Sequence, residues 1–405
     1  MTSVSTMGQA LNQIRLISDQ NLLLSQLTNQ LATGKKTQKF SGLGTDVLTS
    51  ERSRSGLNTL DVYTNNIKIA DRRIKTMINA IEEFKAHAEN FSNALILFSQ
   101  ESVHQQGDEI IYDDPLTPGI NENLKIGMNS AEPDVDFSSL QQFAGDIFEF
   151  MVDLLNTKDG DRYLLGGADT LNKPIVDNGT LDAAVSTLLA HWKDETLAPA
   201  VNLTNSELIS ALESRDNSVD ANAVTDTIIG YNATLSSGNV GKVFVRADEV
   251  SEVEYTVLAN NQPFRDIMVA LSYFKNDTLA PIADVYAEPY TAGDPTLADG
   301  APGATLEEMK NNFFEVFNAM SGMLNQAIED MNTTVQKLES ARARLDSLRK
   351  KHAENKIALE STVADIENVD INEVAINVQM LQIRLDASYR LSALTGELSL
   401  VNFIN

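Results

Sequence analysis

The side chains that most often carry catalysis are few and scattered in this chain. Its four histidines are His87, His104, His191 and His352, and no two of them lie four residues apart. The metal-binding helix pattern His-Glu-x-x-His is therefore absent. His352 falls on an apolar heptad position of a predicted helix, which favours a packing role for its imidazole over catalysis.

Other binding motifs are incomplete. The glycines of Gly238–Lys242 have the wrong spacing for a phosphate-binding loop. The acidic run Asp216–Asn222 hints at a calcium loop, but it lacks glycine at the sixth position and has Thr227 where glutamate is needed. The chain has no cysteine, which excludes disulfides and thiolate metal sites. We therefore predict no catalytic, metal or cofactor site, and a protein that is not an enzyme.

A long apolar heptad is the clearest signal. The spacing alternates between three and four residues without interruption through Leu60, Tyr63, Ile67, Ala70, Ile74, Met77, Ile81, Phe84, Ala88, Phe91, Leu95 and Phe98. This pattern predicts one helix of about 58 Å, at roughly 1.5 Å per residue, whose apolar seam needs a partner helix.

A second heptad pattern near the other end supplies that partner. It runs from Leu306 to His352 in two registers. The predicted rod core consists of Leu60, Ile67, Ile74, Ile81, Phe84, Phe91, Leu95, Phe98, Phe313, Met320, Leu338 and Leu345. We expect the two heptad segments to pack on each other as antiparallel helices.

The two ends of the chain read as amphipathic helices with few charges. Residues 4–31 contain only Arg15 and Asp19 as charged side chains, and Gly34 is a natural helix stop. A nearly uncharged helix would be sticky in water, so we expect it to be buried against other helices, including those of other subunits. The residues predicted to pack there are Val4, Met7, Leu11, Ile14, Leu24, Leu27, Leu31, Val374, Val378, Leu381, Leu385, Leu394, Leu398 and Val401.

The charge is concentrated in the middle of the chain. The net charge is −26, and residues 106–305 hold 10 Lys and Arg against 33 Asp and Glu. Such a field repels nucleic acid and anionic membranes, so we expect neither as a partner. The simplest explanation of this charge is solubility, which we favour over a specific cation-binding role.

These patterns predict a mainly α protein with long antiparallel coiled-coil helices from both termini and a mixed α/β outer domain inserted in the middle. The terminal helices are predicted at residues 1–40 and 363–405. A coiled-coil rod domain with short β elements is predicted at 41–175 and 242–362, with a loop insertion at 106–137. An acidic surface-exposed outer domain is predicted at 176–241. No apolar stretch reaches the roughly 18 residues of a membrane span. The first residues lack the basic start and apolar run of a cleaved signal peptide.

The motifs at both ends resemble those of bacterial flagellins and of the related hook–filament junction protein. The residues that carry the resemblance are Leu31–Lys36, Ile366–Asp370, Leu385–Tyr389 and Leu398–Phe403, and the Asp159–Gly167 and Tyr255–Tyr273 patches are more like the junction branch. The resemblance covers roughly residues 1–105 and 306–405 together with these two patches. The chain departs from it at Gly42–Asp46, where an acidic pair is usual, and in the insertion 106–137.

The resemblance implies a structural subunit of the bacterial flagellum that assembles with itself into an extracellular helical filament for motility. The terminal helices would then form the inner layer of a tube, and the acidic middle would face outward. Its implied partners are further copies of the chain, hook-associated and cap proteins, and an export chaperone on the C-terminal helix, with export that needs no cleaved signal peptide. The alternatives are the hook–filament junction protein and a surface-binding or adhesive module carried by the outer domain.

Overall fold

The computed structural model describes residues 3–99, 109–113, 121–125, 137–177, 179–193, 203–277 and 306–404. The described chain is mainly helical, as predicted. Its helices are α1 (Ser3–Thr33), α2 (Val47–Ser99), α3 (Phe137–Leu155), α4 (Gly179–Lys193), α5 (Asn205–Glu213), α6 (Asp226–Ile229), α7 (Ala233–Ser236), α8 (Gln262–Asn276), α9 (Leu306–Glu367) and α10 (Ile371–Ile404).

In the part of the chain that the structure describes, six short strands form three separate antiparallel hairpins. They are β1 (Glu109–Asp113) with β2 (Asn121–Lys125), β3 (Lys158–Asp159) with β4 (Arg162–Tyr163), and β5 (Phe244–Arg246) with β6 (Glu252–Glu254). The first hairpin lies within 106–137, so the segment predicted as a loop insertion contains regular structure. The strand β4 comprises only Arg162 and Tyr163.

The chain divides into two compact units. Unit 1 contains residues 1–65 and 347–405, and unit 2 contains residues 66–346. The division falls inside α2 and α9, so each unit holds a part of both long helices. Among the described residues, no helix is long and apolar enough to cross a membrane.

Unit 1 brings the two ends of the chain together. Helix α1 packs on α10, and Asn21 donates a hydrogen bond to the hydroxyl of Tyr389 over 3.0 Å. Near the other end of α1, Lys35 forms an antiparallel bridge with Asn368. From Lys35, just after α1, back to Asn21 within it, the partner position rises from 368 to 389, so the two helices run antiparallel.

The parts of α2 and α9 in unit 1 also contact each other. The ammonium of Lys356 lies 2.7 Å from a carboxylate oxygen of Asp61, and the imidazole of His352 stacks on Tyr63 with ring centroids 5.9 Å apart. His352 is almost fully buried. Its position inside this helix contact fits the packing role that its heptad position predicts.

In unit 2 the same two helices run in opposite directions along the core. Arg342 lies 2.8 Å from Asp71, and Lys85 donates to Asn332 over 2.8 Å. The partner on α9 thus moves back by ten positions while α2 advances by fourteen. The seam of α2 is closed to water here, because every predicted position from Ile67 to Leu95 is at most 2% exposed.

An aromatic cluster joins four helices of unit 2. The ring centroid of Phe274 on α8 lies 5.4 Å from that of Phe91 on α2 and 5.2 Å from that of Phe317 on α9, and Phe143 on α3 lies 5.8 Å from Phe91. All residues of α8 from Phe264 to Phe274 except Asp266 are buried. A helix covered on all sides belongs in the centre of a core, so α8 is the central element of unit 2.

The described part of residues 176–241 contains helices α4 to α7 and no strand. The strands β5 and β6 follow this region in the chain, within the part predicted to carry short β elements. Helix α5 begins with a capping box, in which the Thr204 side chain accepts from the Glu207 amide and the Glu207 carboxylate accepts from the Thr204 amide.

Candidate functional site

The contact between α1 and α10 uses one face of each helix. On α10 the face consists of Val374, Val378, Leu381 and Leu385, all at most 8% exposed. On α1 it consists of Ile17, Leu24, Leu27 and Leu31, which are half-buried. The chain itself therefore covers seven of the predicted subunit-packing residues, and the contact that they make is within one molecule.

The other faces of the two helices expose large apolar side chains. On α1 they include Leu11, Ile14, Leu16 and Leu22, which are 60–64% exposed. The predicted residues Leu11 and Ile14 lie one position out of register with the buried face, which is where the heptad phase slips. On α10 the exposed apolar residues are Ile371, Ile376, Met380, Ile383, Leu391 and Leu394.

The exposed residues of α10 form a stripe. Ile376, Met380 and Ile383 keep the spacing of four and three, two positions after the buried Val374, Val378 and Leu381. Two positions correspond to about 200° around a helix of 3.6 residues per turn. Each apolar stripe of α10 thus faces away from the other, and only one of them is covered by α1. The residues predicted to pack between subunits include Leu394 but none of Ile376, Met380 and Ile383.

The junction between α9 and α10 centres on one buried carboxylate. Glu367, the last residue of α9, is 5% exposed. It accepts from the Lys35 ammonium at 2.7 Å, from the Ser50 hydroxyl at 2.6 Å, and from Nε and Nη2 of Arg54, with Nε at 2.7 Å. We call Glu367, Lys35, Ser50 and Arg54 the Glu367 junction. It ties the chain after α1 and the start of α2 to the end of α9.

Backbone hydrogen bonds reinforce the junction. The amide of Lys36 donates to the carbonyl of Glu367 at 2.7 Å, and the amide of Val369 donates to the carbonyl of Gly34 at 3.0 Å. Gly34 adopts φ +67°, a left-handed conformation that ends α1 and that glycine adopts at no steric cost. The turn after α1 and the turn before α10 therefore hold each other.

The junction stabilises the ionised form of Glu367. The hydrogen bond from Arg54 lowers the pKa of this carboxyl most, and the bonds from Lys35 and Ser50 lower it further, against the opposing effect of burial. The same hydrogen bond raises the pKa of the Arg54 guanidinium. The carboxylate is therefore charged throughout the neutral range.

The predicted rod-core residues lie where α2 and α9 pack. In unit 2, Ile67, Ile74, Ile81, Phe84, Phe91, Leu95, Met320, Leu338 and Leu345 are all buried, and in unit 1 Leu60 is half-buried. The side chains of Val4, Met7, Phe98, Phe313, Leu398 and Val401 lie outside the described part of the structure.

The weak sequence motifs stay weak. Within the described ranges, no group of three or more His, Cys, Asp or Glu side chains is placed to hold a metal ion. In the run Asp216–Asn222, the carboxylates of Asp216 and Asp220 accept hydrogen bonds from the amides of Ser218 and Asn222, each at 2.8 Å. These contacts are those of short polar turns.

Sequence reasoning missed two charged residues. Glu367 and Arg265 each appeared in the sequence only as part of a motif, yet the guanidinium of Arg265 is fully buried. Both act through partners more than forty positions away. A charged residue inside an apolar helix such as α8 is the one signal that could have pointed to Arg265.

No protein-family model matches the sequence, and a search of curated proteins finds no match.

Proposed function

We propose that the chain is a structural subunit of the bacterial flagellum, a flagellin-type protein that assembles with itself into an extracellular helical filament for motility. One observation carries the proposal: α1 and α10 pair through one face each and leave further apolar stripes in water. Contiguous exposed apolar surface marks sites of protein association. Each copy of the pair offers the same surface, so further copies of this chain are its simplest partners.

The proposal includes a finer description of the fold. The helices α2 and α9 form an antiparallel coiled coil whose core is the heptad seam from Leu60 to Phe98, and residues 176–241 form an inserted outer domain that faces away from the filament axis. The concentration of acidic residues in the middle of the chain supports an outward, solvated position for that domain.

Further partners belong to the same proposal. We infer that hook-associated and cap proteins contact the ends of the assembly, and that an export chaperone covers α10 before assembly. The exposed residues Ile376 and Ile383 support the chaperone, because such side chains would otherwise promote premature association. The proposed role requires no enzymatic activity.

A truncation tests the role of the ends. Removing residues 1–33 or 372–405 is expected to leave soluble, folded monomers that form no filament in electron micrographs. Normal filaments from either truncation would refute the assembly role of the terminal helices.

A point variant tests the exposed stripe of α10 directly. Ile383 is 70% exposed, so Ile383→Glu removes an apolar contact surface without disturbing the buried face. We expect unchanged helical circular dichroism and no polymer under conditions in which the unaltered chain assembles.

Gln382→Glu is the matched control. Gln382 is exposed, neighbours Ile383 and is already polar, so the variant adds the same charge without removing apolar surface. Filaments from Gln382→Glu but not from Ile383→Glu support the stripe as a contact between subunits. Filaments from both variants would remove it from the assembly surface.

The hook–filament junction protein is the second candidate. The Asp159–Gly167 patch that favours it is an ordered turn: Arg72 and Arg73 bind the Asp159 carboxylate at 2.9 and 3.3 Å, and Gly160 adopts φ +63° between β3 and β4. Copy number separates the two roles. Thousands of copies along a filament exclude the junction role, and a single ring at its base excludes the filament role.

A further inference from the structure

Sulfur chemistry in this chain is confined to methionine. The sequence contains eleven methionines and no cysteine, so the only sulfur open to oxidation is that of thioethers. Five methionines of unit 2 are at most 2% exposed, namely Met77, Met151, Met268, Met320 and Met331. Met323 is half-buried, whereas Met380 on α10 is 47% exposed. Met380 is thus the most accessible methionine in the described part of the chain.

Met380 lies in the middle of the exposed apolar stripe of α10. Ile376 precedes it by four positions and Ile383 follows it by three, so the three side chains are neighbours on one face of the helix. The two isoleucines are 56% and 70% exposed. The buried Val378 and Leu381 lie on the face that α1 covers. A chemical change at the Met380 sulfur therefore alters the exposed stripe and not the contact between α1 and α10.

Hydrogen peroxide converts an accessible thioether into a sulfoxide. A lone pair of the sulfur attacks one peroxide oxygen, and the S–O bond forms as the O–O bond breaks. The other oxygen leaves as water after taking up the proton of the transferred oxygen. The sulfur loses two electrons, and the peroxide is reduced by two. The product carries a polar S=O group in place of an apolar atom.

We propose that Met380 is a peroxide-sensitive modification site, and that its oxidation makes the apolar stripe of α10 polar between Ile376 and Ile383. The consequence for assembly rests on the proposed function, in which this stripe is a contact between subunits. Oxidation then weakens that contact in chains that have not yet assembled. Within a filament the same contact covers the sulfur and protects it from the oxidant.

The first test measures where peroxide reacts. The full-length monomer is treated with hydrogen peroxide, and sulfoxide at each methionine is followed by peptide mass spectrometry. We expect Met380 to react at least about tenfold faster than the five buried methionines, because their sulfur is reached only when the core of unit 2 opens. In denaturant the rates should become similar. Equal rates in the folded monomer would overturn the proposal.

The second test measures assembly. Peroxide treatment of the unaltered chain should raise the concentration needed for filaments by roughly tenfold, because apolar contact area is lost. Met380→Leu keeps an apolar side chain without sulfur, so it should assemble equally well before and after treatment. Met380→Gln should need the higher concentration without any peroxide. Equal inhibition of Met380→Leu by peroxide would place the effect elsewhere and refute the assignment.

Met323→Leu is the matched control. It removes a half-buried methionine of α9 and leaves Met380 in place, so peroxide should inhibit its assembly as strongly as that of the unaltered chain. Filaments formed before treatment should acquire sulfoxide at Met380 more slowly than monomers do. Equal rates in filaments and monomers would contradict the placing of Met380 in a subunit contact.

A readout that needs no filament separates this site from the proposed function. Oxidation should shorten the retention of the unaltered monomer on a hydrophobic-interaction column, whereas Met380→Leu should keep its retention. Shortened retention of a chain that never assembles would refute the proposed function and support the oxidation site. Equal shortening for Met380→Leu would refute the site, whatever the filaments show.

Discussion

Glu367 is a carboxylate taken out of water, which costs free energy unless its charge is compensated. Here the hydrogen bonds of Lys35, Ser50 and Arg54 supply the compensation. The three donors come from sequence positions more than 300 residues before the acceptor. A single side chain therefore fixes the place at which both terminal helices leave the rest of unit 1.

We predict that Glu367→Gln loosens this junction at neutral pH. The free energy of opening the junction should fall by about 1–3 kcal/mol. The lower end is expected, because Lys35 and Arg54 are each about 40% exposed and water screens their charges. Hydrogen exchange of the Lys36 amide measures it, with roughly tenfold faster exchange for each 1.4 kcal/mol. The control is Glu360→Gln on the exposed surface of α9, which should exchange like the unaltered protein.

At low pH, the unaltered protein and the Glu367→Gln variant should have equally stable junctions. Because the folded pKa of Glu367 lies below the unfolded value of about 4.3, the carboxylate contributes its full stabilisation above that value and loses it as pH falls toward the folded pKa. Exchange rates of the two proteins measured from pH 7 to pH 3 should therefore converge. A gap that widens in acid would contradict the assignment of the charge to Glu367.

Substitution of the buried Arg265 should also lower the stability of unit 2. Arg265→Lys keeps the positive charge but cannot reach three carbonyls and Asp266 together, because an ammonium lacks the planar fork. We expect a loss of about 3 kcal/mol in the free energy of unfolding of unit 2. The exposed Arg246→Lys should change it by less than about 0.5 kcal/mol, and equal effects would remove the special role of Arg265.

At the scale of elements, the residue that ends a helix affects stability as much as the residues on its buried face. Gly34 and Gly8 both belong to the α1 region, but only Gly34 has a positive φ. Gly34→Ala should destabilise the terminal pair by about 1 kcal/mol, whereas Gly8→Ala, in a helix with open space around its Cα, should stabilise α1 by a similar amount. Thermal unfolding followed by circular dichroism distinguishes the two signs, and equal shifts would contradict the prediction.

The largest loss of stability is expected from substitutions in the buried seam of α2. Phe91 is fully buried between rings of α3 and α8. Phe91→Ala should cost about 3–5 kcal/mol through lost burial and a residual cavity. Val62→Ala, on the exposed side of the same helix, is the control and should cost less than about 0.5 kcal/mol in chemical unfolding.

Periodicity predicted the elements best where the heptad was unbroken. The positions from Ile67 to Leu95, the stop at Gly34 and the cap at Thr204 could all be read from local sequence, because each depends on neighbours within a few turns. Helix α2 begins at Val47, thirteen residues before the first heptad position Leu60, and no proline interrupts it.

The contacts that join distant segments could not be read in this way. The three partners of Glu367 and the carbonyls around Arg265 lie far from these two residues in the sequence, and spacing alone does not bring them together. The second apolar stripe of α10 was visible only near the chain end, because Ile376, Met380 and Ile383 are interleaved with the buried Val374, Val378 and Leu381. Two stripes on one helix are hard to separate without knowing which one is covered.

At the scale of the whole molecule, the net charge of −26 opposes association of identical copies. The screening length falls from about 30 Å at 0.01 M salt to about 8 Å at 0.15 M. We therefore predict that filament growth, followed by light scattering, accelerates over this range, whereas sucrose at equal osmolality does not reproduce the effect. Slower growth with added salt would mean that attractive charge pairs dominate the contacts.

The hydrogen bond between Asn21 and Tyr389 joins residues 368 positions apart. A ribosome delivers the chain from its amino end, so α1 has been synthesised long before its partner α10 exists. Pairings of such large sequence separation form slowly, because nearly the whole chain must be brought into one loop. We therefore expect the terminal pair to form late in folding, with α1 unpaired until α10 has been synthesised.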